Sequence, residues 1–141
     1  MKSKYILITV LLVSFALYGQ GLKVPKEVKA AFEKQYPKAS DVKWDKEGQL
    51  GYEAGFKLDG KNISVVLDKK GEIIETETSI PVSELPKPIA PFIEKNHAGF
   101  NITGAYKIVD SKGKITFETE ITKGKKTKEL IFDQDGKHIT K

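Results

Sequence analysis

Cysteine is absent from this sequence. Disulfides, thiolate metal sites and thiol catalysis are therefore all excluded, and stability must come from packing. Histidine occurs only twice, at His97 and His138, and tryptophan only once, at Trp44. There is no glycine-rich phosphate loop, zinc-ligand spacing, Gly-x-Ser-x-Gly elbow or dinucleotide fingerprint. Large single-sign charge blocks are missing as well. The net charge of +5 is spread over interleaved acidic and basic residues. That is an ordinary solvated surface, not the basic field that nucleic-acid binding needs.

What is present begins with an export signal. Lys2 and Lys4 precede an almost unbroken apolar run over 5–18, and small Gly19 precedes Gln20, where cleavage is expected. The run is short for a membrane span and leads straight into polar sequence. No cysteine follows the cut, so no lipid anchor is expected there. Removing 19 of 141 residues leaves 122, the size of one compact domain, and the loss of two lysines lowers the charge from +5 to +3.

The remaining chain shows internal similarity. Val65-Val66-Leu67-Asp68-Lys69-Lys70-Gly71 matches Leu130-Ile131-Phe132-Asp133-Gln134-Asp135-Gly136, and Tyr52-Glu53-Ala54-Gly55-Phe56 matches Phe117-Glu118-Thr119-Glu120-Ile121. Both pairs are offset by 65 residues (71 to 136, 52 to 117). Helices are predicted over 25–36, from Val28, Ala31, Phe32 and Tyr36, and over 88–97, from Ile89, Phe92, Ile93 and His97. Pro37 ends the first, and Pro86, Pro88 and Pro91 make the start of the second irregular. Alternating segments broken by glycine turns predict strands over 41–45, 51–58, 62–68 and 72–79, then over 104–110, 114–122, 126–133 and 137–141. The expected fold is α+β: a tandem duplication of a helix plus a four-stranded antiparallel meander. Residues 1–19 form the signal, 20–82 the first repeat and 83–141 the second. The repeats join into one curved sheet with both helices on one face.

Strand alternation sorts the side chains. Tyr52, Ala54, Phe56, Leu58, Ile63, Val65 and Leu67 fall on the helix-covered side, with Phe117, Thr119, Ile121, Leu130 and Phe132. Glu53, Lys57, Ser64, Val66, Glu118, Glu120, Glu129 and Ile131 fall on the other, for which no covering segment is left over.

Val24-Pro25, Tyr36-Pro37, Trp44, Tyr52-Glu53-Ala54, the Asp68-x-x-Gly71 turn, Glu75-Thr76-Glu77 and Leu85-Pro86, in that order, resemble the exported bacterial PepSY-like domains, also called beta-lactamase-inhibitor-like. The resemblance spans nearly all of the chain after the signal. It implies a periplasmic or secreted location and a curved sheet that can grip a target. No segment matches an inhibitory loop.

Candidate chemistry has a structural explanation at each place. His97 stands in the helix slot of Tyr36, and His138 in the strand slot of Ile73. Asp133-x-Asp135-Gly136 looks like part of a calcium loop, but position 131 is Ile and the matching Asp68–Gly71 segment keeps only the turn residues. The pairs Glu53/Glu118 and Glu75/Glu77 read as solvated strand positions rather than an acid–base pair. Lys123-Gly124-Lys125-Lys126 with Lys128 marks a hairpin tip, and Trp44 a core filler. The triplets Asn62-Ile63-Ser64 and Asn101-Ile102-Thr103 match the glycosylation pattern, which is common by chance.

The expectation is a non-enzymatic exported binding protein. It has no cofactor, no metal and no nucleic-acid partner, and no membrane span after the signal. It is a monomer or weak dimer. An unknown envelope or extracellular protein would dock on the uncovered face through Glu53, Lys57, Val66, Glu118, Glu120 and Ile131. The alternative is a cell-envelope carrier of a small molecule or ion, held in the curve of the sheet.

Overall fold

The computed structural model describes residues 22–48 and 51–140. The predicted signal lies outside them. Helix α1 (Lys26–Gln35) buries Val28 and Phe32, one turn apart on one face. Pro25 stands at its N-cap, and its carbonyl accepts the Lys29 N–H at 3.1 Å. The Tyr36 N–H closes the helix on the Phe32 carbonyl at 2.8 Å, and Pro37 follows.

Four strands come next: β1 (Ser40–Glu47), β2 (Gly51–Leu58), β3 (Lys61–Leu67) and β4 (Ile73–Ser79). A short 3-10 turn at Val82–Glu84 leads to α2 (Ile89–Asn96), which buries Ile89 and Ile93. Pro91 lies in the first turn of α2, where a missing N–H leaves no intrahelical bond unmade. Three strands complete the chain: β5 (Asn101–Asp110), β6 (Ile115–Lys123) and β7 (Lys126–Asp133).

All seven strands form one antiparallel sheet in the order β1-β2-β3-β4-β5-β6-β7. This corrects the expected architecture. A tandem helix-plus-four-strand meander requires eight strands; the described chain builds seven, with two short helices. In the segment expected as an eighth strand, 137–141, the described residues 137–140 form no strand: the Asp133 N–H reaches the Lys137 carbonyl at 2.9 Å across the turn, His138 makes an isolated bridge to Phe132, and the Ile139 N–H reaches the Ile131 carbonyl at 2.8 Å. Too few backbone pairs follow the Gly136 turn to build a ladder.

Both helices lie on the same face. Under α1, Val28 and Phe32 pack with Ala54, Phe56, Val65 and Leu67. Under α2, Ile89 and Ile93 pack with Ala105, Ile121, Leu130 and Phe132. Three turns share one construction. Asp68 Oδ1 accepts the N–H groups of Lys70 and Glu72, Asp110 Oδ1 those of Lys112 and Lys114, and Asp133 Oδ1 those of Asp135 and Lys137, all at 2.8–3.0 Å. The calcium-like Asp133 segment is thus a turn whose carboxylate is committed to backbone.

Candidate functional site: the helix-free sheet face

The register places a grid of side chains on the face opposite the helices. One row across the sheet runs Asp45, Glu53, Val66, Glu75 and Asp110. The next runs Lys43, Gly55, Ser64, Glu77, Ile108, Thr116 and Asp133. A third brings Ser79, Tyr106, Glu118 and Ile131 together, and a fourth Gly104, Glu120 and Glu129. Carboxylates therefore converge from six of the seven strands, all but β3.

Among the described residues neither helix covers this face, yet its centre is desolvated. Glu118 is 0% exposed, Glu77 5% and Glu75 8%, with Val66 and Ile108 buried beside them. Both oxygens of Glu118, one of Glu77 and one of Glu75 have no hydrogen-bond partner among the described residues. A buried carboxylate with neither a cation nor a donor is costly as an anion, so it takes up a proton. Burial, reinforced by Glu77 and Glu129, pushes Glu118 up to about 9. Burial and the neighbouring Glu53 push Glu77 up to about 8, and burial with Glu47 nearby pushes Glu75 up to about 7. Glu53 is also raised, chiefly by burial, although the Ser64 hydroxyl donates to its carboxylate and opposes the shift. The Tyr106 phenol is raised by burial and by Glu120, Glu77 and Glu118. Its ring lies over Gly104, where a Cβ would stand 2.9 Å from it.

The residues expected on the docking face do not share one environment. Glu53 and Ile131 are half-buried, and Ile131 stands across from Glu118. Glu120 is half-buried and accepts a hydrogen bond from the Thr103 hydroxyl at 2.8 Å. Lys57 is exposed at the margin and pairs with Asp41 at 3.0 Å. Val66 and Glu118 are fully buried, so Glu118 is no exposed steering charge. Glu75 and Glu77, read from the sequence as solvated, are buried as well. The signal for them was position: β4 is the middle strand of seven, flanked by β3 and β5, and its side chains have neighbours on both sides.

The other candidates lie elsewhere. His97 caps α2, and His138 stacks on Phe92 with ring centroids 4.9 Å apart, both on the helix side. Lys123 Nζ donates to the Ala98 carbonyl at 3.1 Å, and Lys128 Nζ sits 5.0 Å above the Phe100 ring. Trp44 packs edge-on to Phe32 at 5.2 Å and lines a groove of about 490 Å³ with Tyr36, Pro37 and Val42. That groove is on the helix side and bordered by exposed Lys29 and Glu33, not in the sheet position expected for a carried ligand. Among the described residues, no helix is long and apolar enough to cross a membrane.

Solved structures share this fold. A DUF2874 family protein from Bacteroides uniformis ATCC 8492 superposes with a TM-score of 0.71 at 20% identity, covering 84% of this chain and 88% of its own. A proposed periplasmic protein from Bacteroides eggerthii DSM 20697 gives 0.73 at 16% identity, covering 84% and 87%. A BLIP-like protein from Bacteroides fragilis NCTC 9343 gives 0.63 at 22% identity, covering 86% of each chain. The likeness at these identities is one of fold, and the fold is BLIP-like. No family model matches the sequence, so the PepSY-like label rests on the short motifs alone, and no curated protein matches it either.

Proposed function

We propose that this chain is an exported, non-enzymatic domain that holds a protein partner against the helix-free face of its sheet. The observation that carries the reading is Glu118: a fully buried carboxyl group with both oxygens unpartnered, at the centre of a face that no described helix covers. Native proteins leave few buried polar atoms unsatisfied, so each one left calls for an explanation, and a donor brought by a partner supplies one here. An export address is supported by the Lys2–Gly19 signal pattern and by the periplasmic description of the B. eggerthii protein. A non-catalytic role is supported by the separation of both histidines from the carboxylates, since they pack on the helix side.

Gly55 offers a clean test. It lies on the helix-free face, and a Cβ there would meet nothing within 4 Å, so a large side chain can be introduced to block the face while every carboxylate is kept. Cross-linking in the intact envelope is expected to trap a partner with wild type and with Lys29→Glu on α1, but not with Gly55→Trp. Equal trapping by all three, or by none, overturns the reading.

A further inference from the structure

We infer that the element received by this face is a cationic polypeptide segment, one of whose lysine or arginine side chains displaces the Tyr106 and Ile131 side chains flanking Glu118 and pairs with Glu77 and Glu118. This deepens the docking reading above and rests on it. The first ground is unmet hydrogen bonding. Glu118 offers two acceptor oxygens and Glu77 one with no donor among the described residues, and all are buried. A guanidinium brings five donors in a flat fork and an ammonium three, so either supplies what these oxygens lack.

The second ground is charge asymmetry. The chain as a whole is basic, at +5, but this face gathers Glu53 from β2, Glu75 and Glu77 from β4, Glu118 and Glu120 from β6 and Glu129 from β7. Asp45 and Lys43 of β1 and Asp110 of β5 flank them; Lys57 is held by Asp41, and Lys114 stands in the turn beside Asp110. β3 contributes the uncharged Asn62, Ser64 and Val66. A positively charged segment is the complement of such a surface.

Other occupants fit less well. Among the described residues no group of three or more side chains is arranged to hold a metal ion. A second copy presenting the same face would set carboxylates against carboxylates. Its lysine-rich hairpin already uses Lys123 on Ala98 and Lys128 over Phe100.

A proton-linked affinity follows. In the free protein burial, reinforced by Glu77 and Glu129, holds Glu118 protonated, and burial, reinforced by Glu53 and Glu75, does the same for Glu77. An arriving cation favours the ionised form, so capture expels protons and strengthens as pH rises, by up to about tenfold per pH unit for each proton released.

The test is calorimetric titration of the full secreted chain with hexa-arginine and hexa-lysine. Hexaglutamate and calcium chloride serve as comparisons, at pH 6 and pH 8 and in two buffers of different protonation enthalpy. A cationic peptide is expected to bind more tightly at pH 8, release about one proton, and bind Glu77→Gln/Glu118→Gln at least about tenfold more weakly. A control, Glu33→Gln/Glu94→Gln on the helices, replaces the same number of carboxyl groups and is expected to bind like wild type. Gly55→Trp blocks the face while keeping every carboxylate in the sequence, and thermal melts verify that each variant folds. Absence of peptide binding at both pH values, equal loss in the two double variants, or calcium or self-association in place of the peptide overturns the assignment. If peptide binding fails while the Gly55→Trp-sensitive cross-link persists, the cationic assignment falls and the docking face stands. If both fail, both fall.

Discussion

Glu118 and Glu77 carry a consequence for stability that is independent of any partner. An exposed glutamate in the unfolded chain titrates near its ordinary 4.5, whereas the folded protein holds Glu118 up to about 9 and Glu77 up to about 8. Between those values the folded state binds more protons than the unfolded state, so stability falls as pH rises. The contribution is fully present below pH 4.5 and is lost as pH climbs through 7, 8 and 9, where Glu75, Glu77 and Glu118 titrate in turn. Each group lowers stability by at most about 1.4 kcal/mol per pH unit inside its window. Urea unfolding at pH 5, 7 and 9 is expected to show a falling midpoint. Glu118→Gln, which keeps the shape of the neutral acid, is expected to match wild type within about 1 kcal/mol at pH 5 and to exceed it at pH 9. A midpoint that rises with pH contradicts the assignment. At this scale the sequence revealed a face but not its environment. Period-2 alternation put Glu53, Glu118 and Glu120 together, yet burial of Glu118 depends on Tyr106 and Ile131, which reach it from β5 and β7.

The helices and turns were legible because their signals are local. Val28 with Phe32 and Ile89 with Ile93 stand one turn apart, and proline marks the start of each helix. What docks the helices was not legible. Gly71, at φ +85°, leaves room for Ala31 of α1, whose Cβ would stand 2.8 Å from an added one. Gly136, at φ +80°, lies under Pro86 and Pro88 just before α2 in the same manner. Gly71→Ala therefore meets both a left-handed backbone and a clash, and is expected to cost about 1–3 kcal/mol in chemical unfolding. Phe132, fully buried against Phe92 and His138, is the anchor under α2; Phe132→Ala is expected to cost about 3–5 kcal/mol by the same measurement. A loss below 1 kcal/mol for Phe132→Ala means α2 is held by other contacts.

Over the whole molecule, the seven strands make one continuous sheet whose edges are unequal. β1 carries Lys43 and Lys46 and an irregular register between Ser40 and Lys43, features that discourage strand addition. The edge of β7 is shielded instead by the Ile139–Ile131 bond and the bridge at His138. Truncation after Gly136 is expected to raise the apparent mass in light scattering; an unchanged monomer shows that the tail does not guard the edge. The sequence by itself determined the local elements, the Asp-x-x-Gly turns and the sorting of side chains between two faces. These follow from helical and strand periodicity and from turn chemistry within a few residues. Tertiary structure alone decided that the last segment adds no eighth strand, that β4 lies mid-sheet, and that Glu75, Glu77 and Glu118 are buried, which raises their pKa. Those outcomes depend on which distant strands become neighbours, because neighbours, not residue type, set how much water a carboxylate keeps.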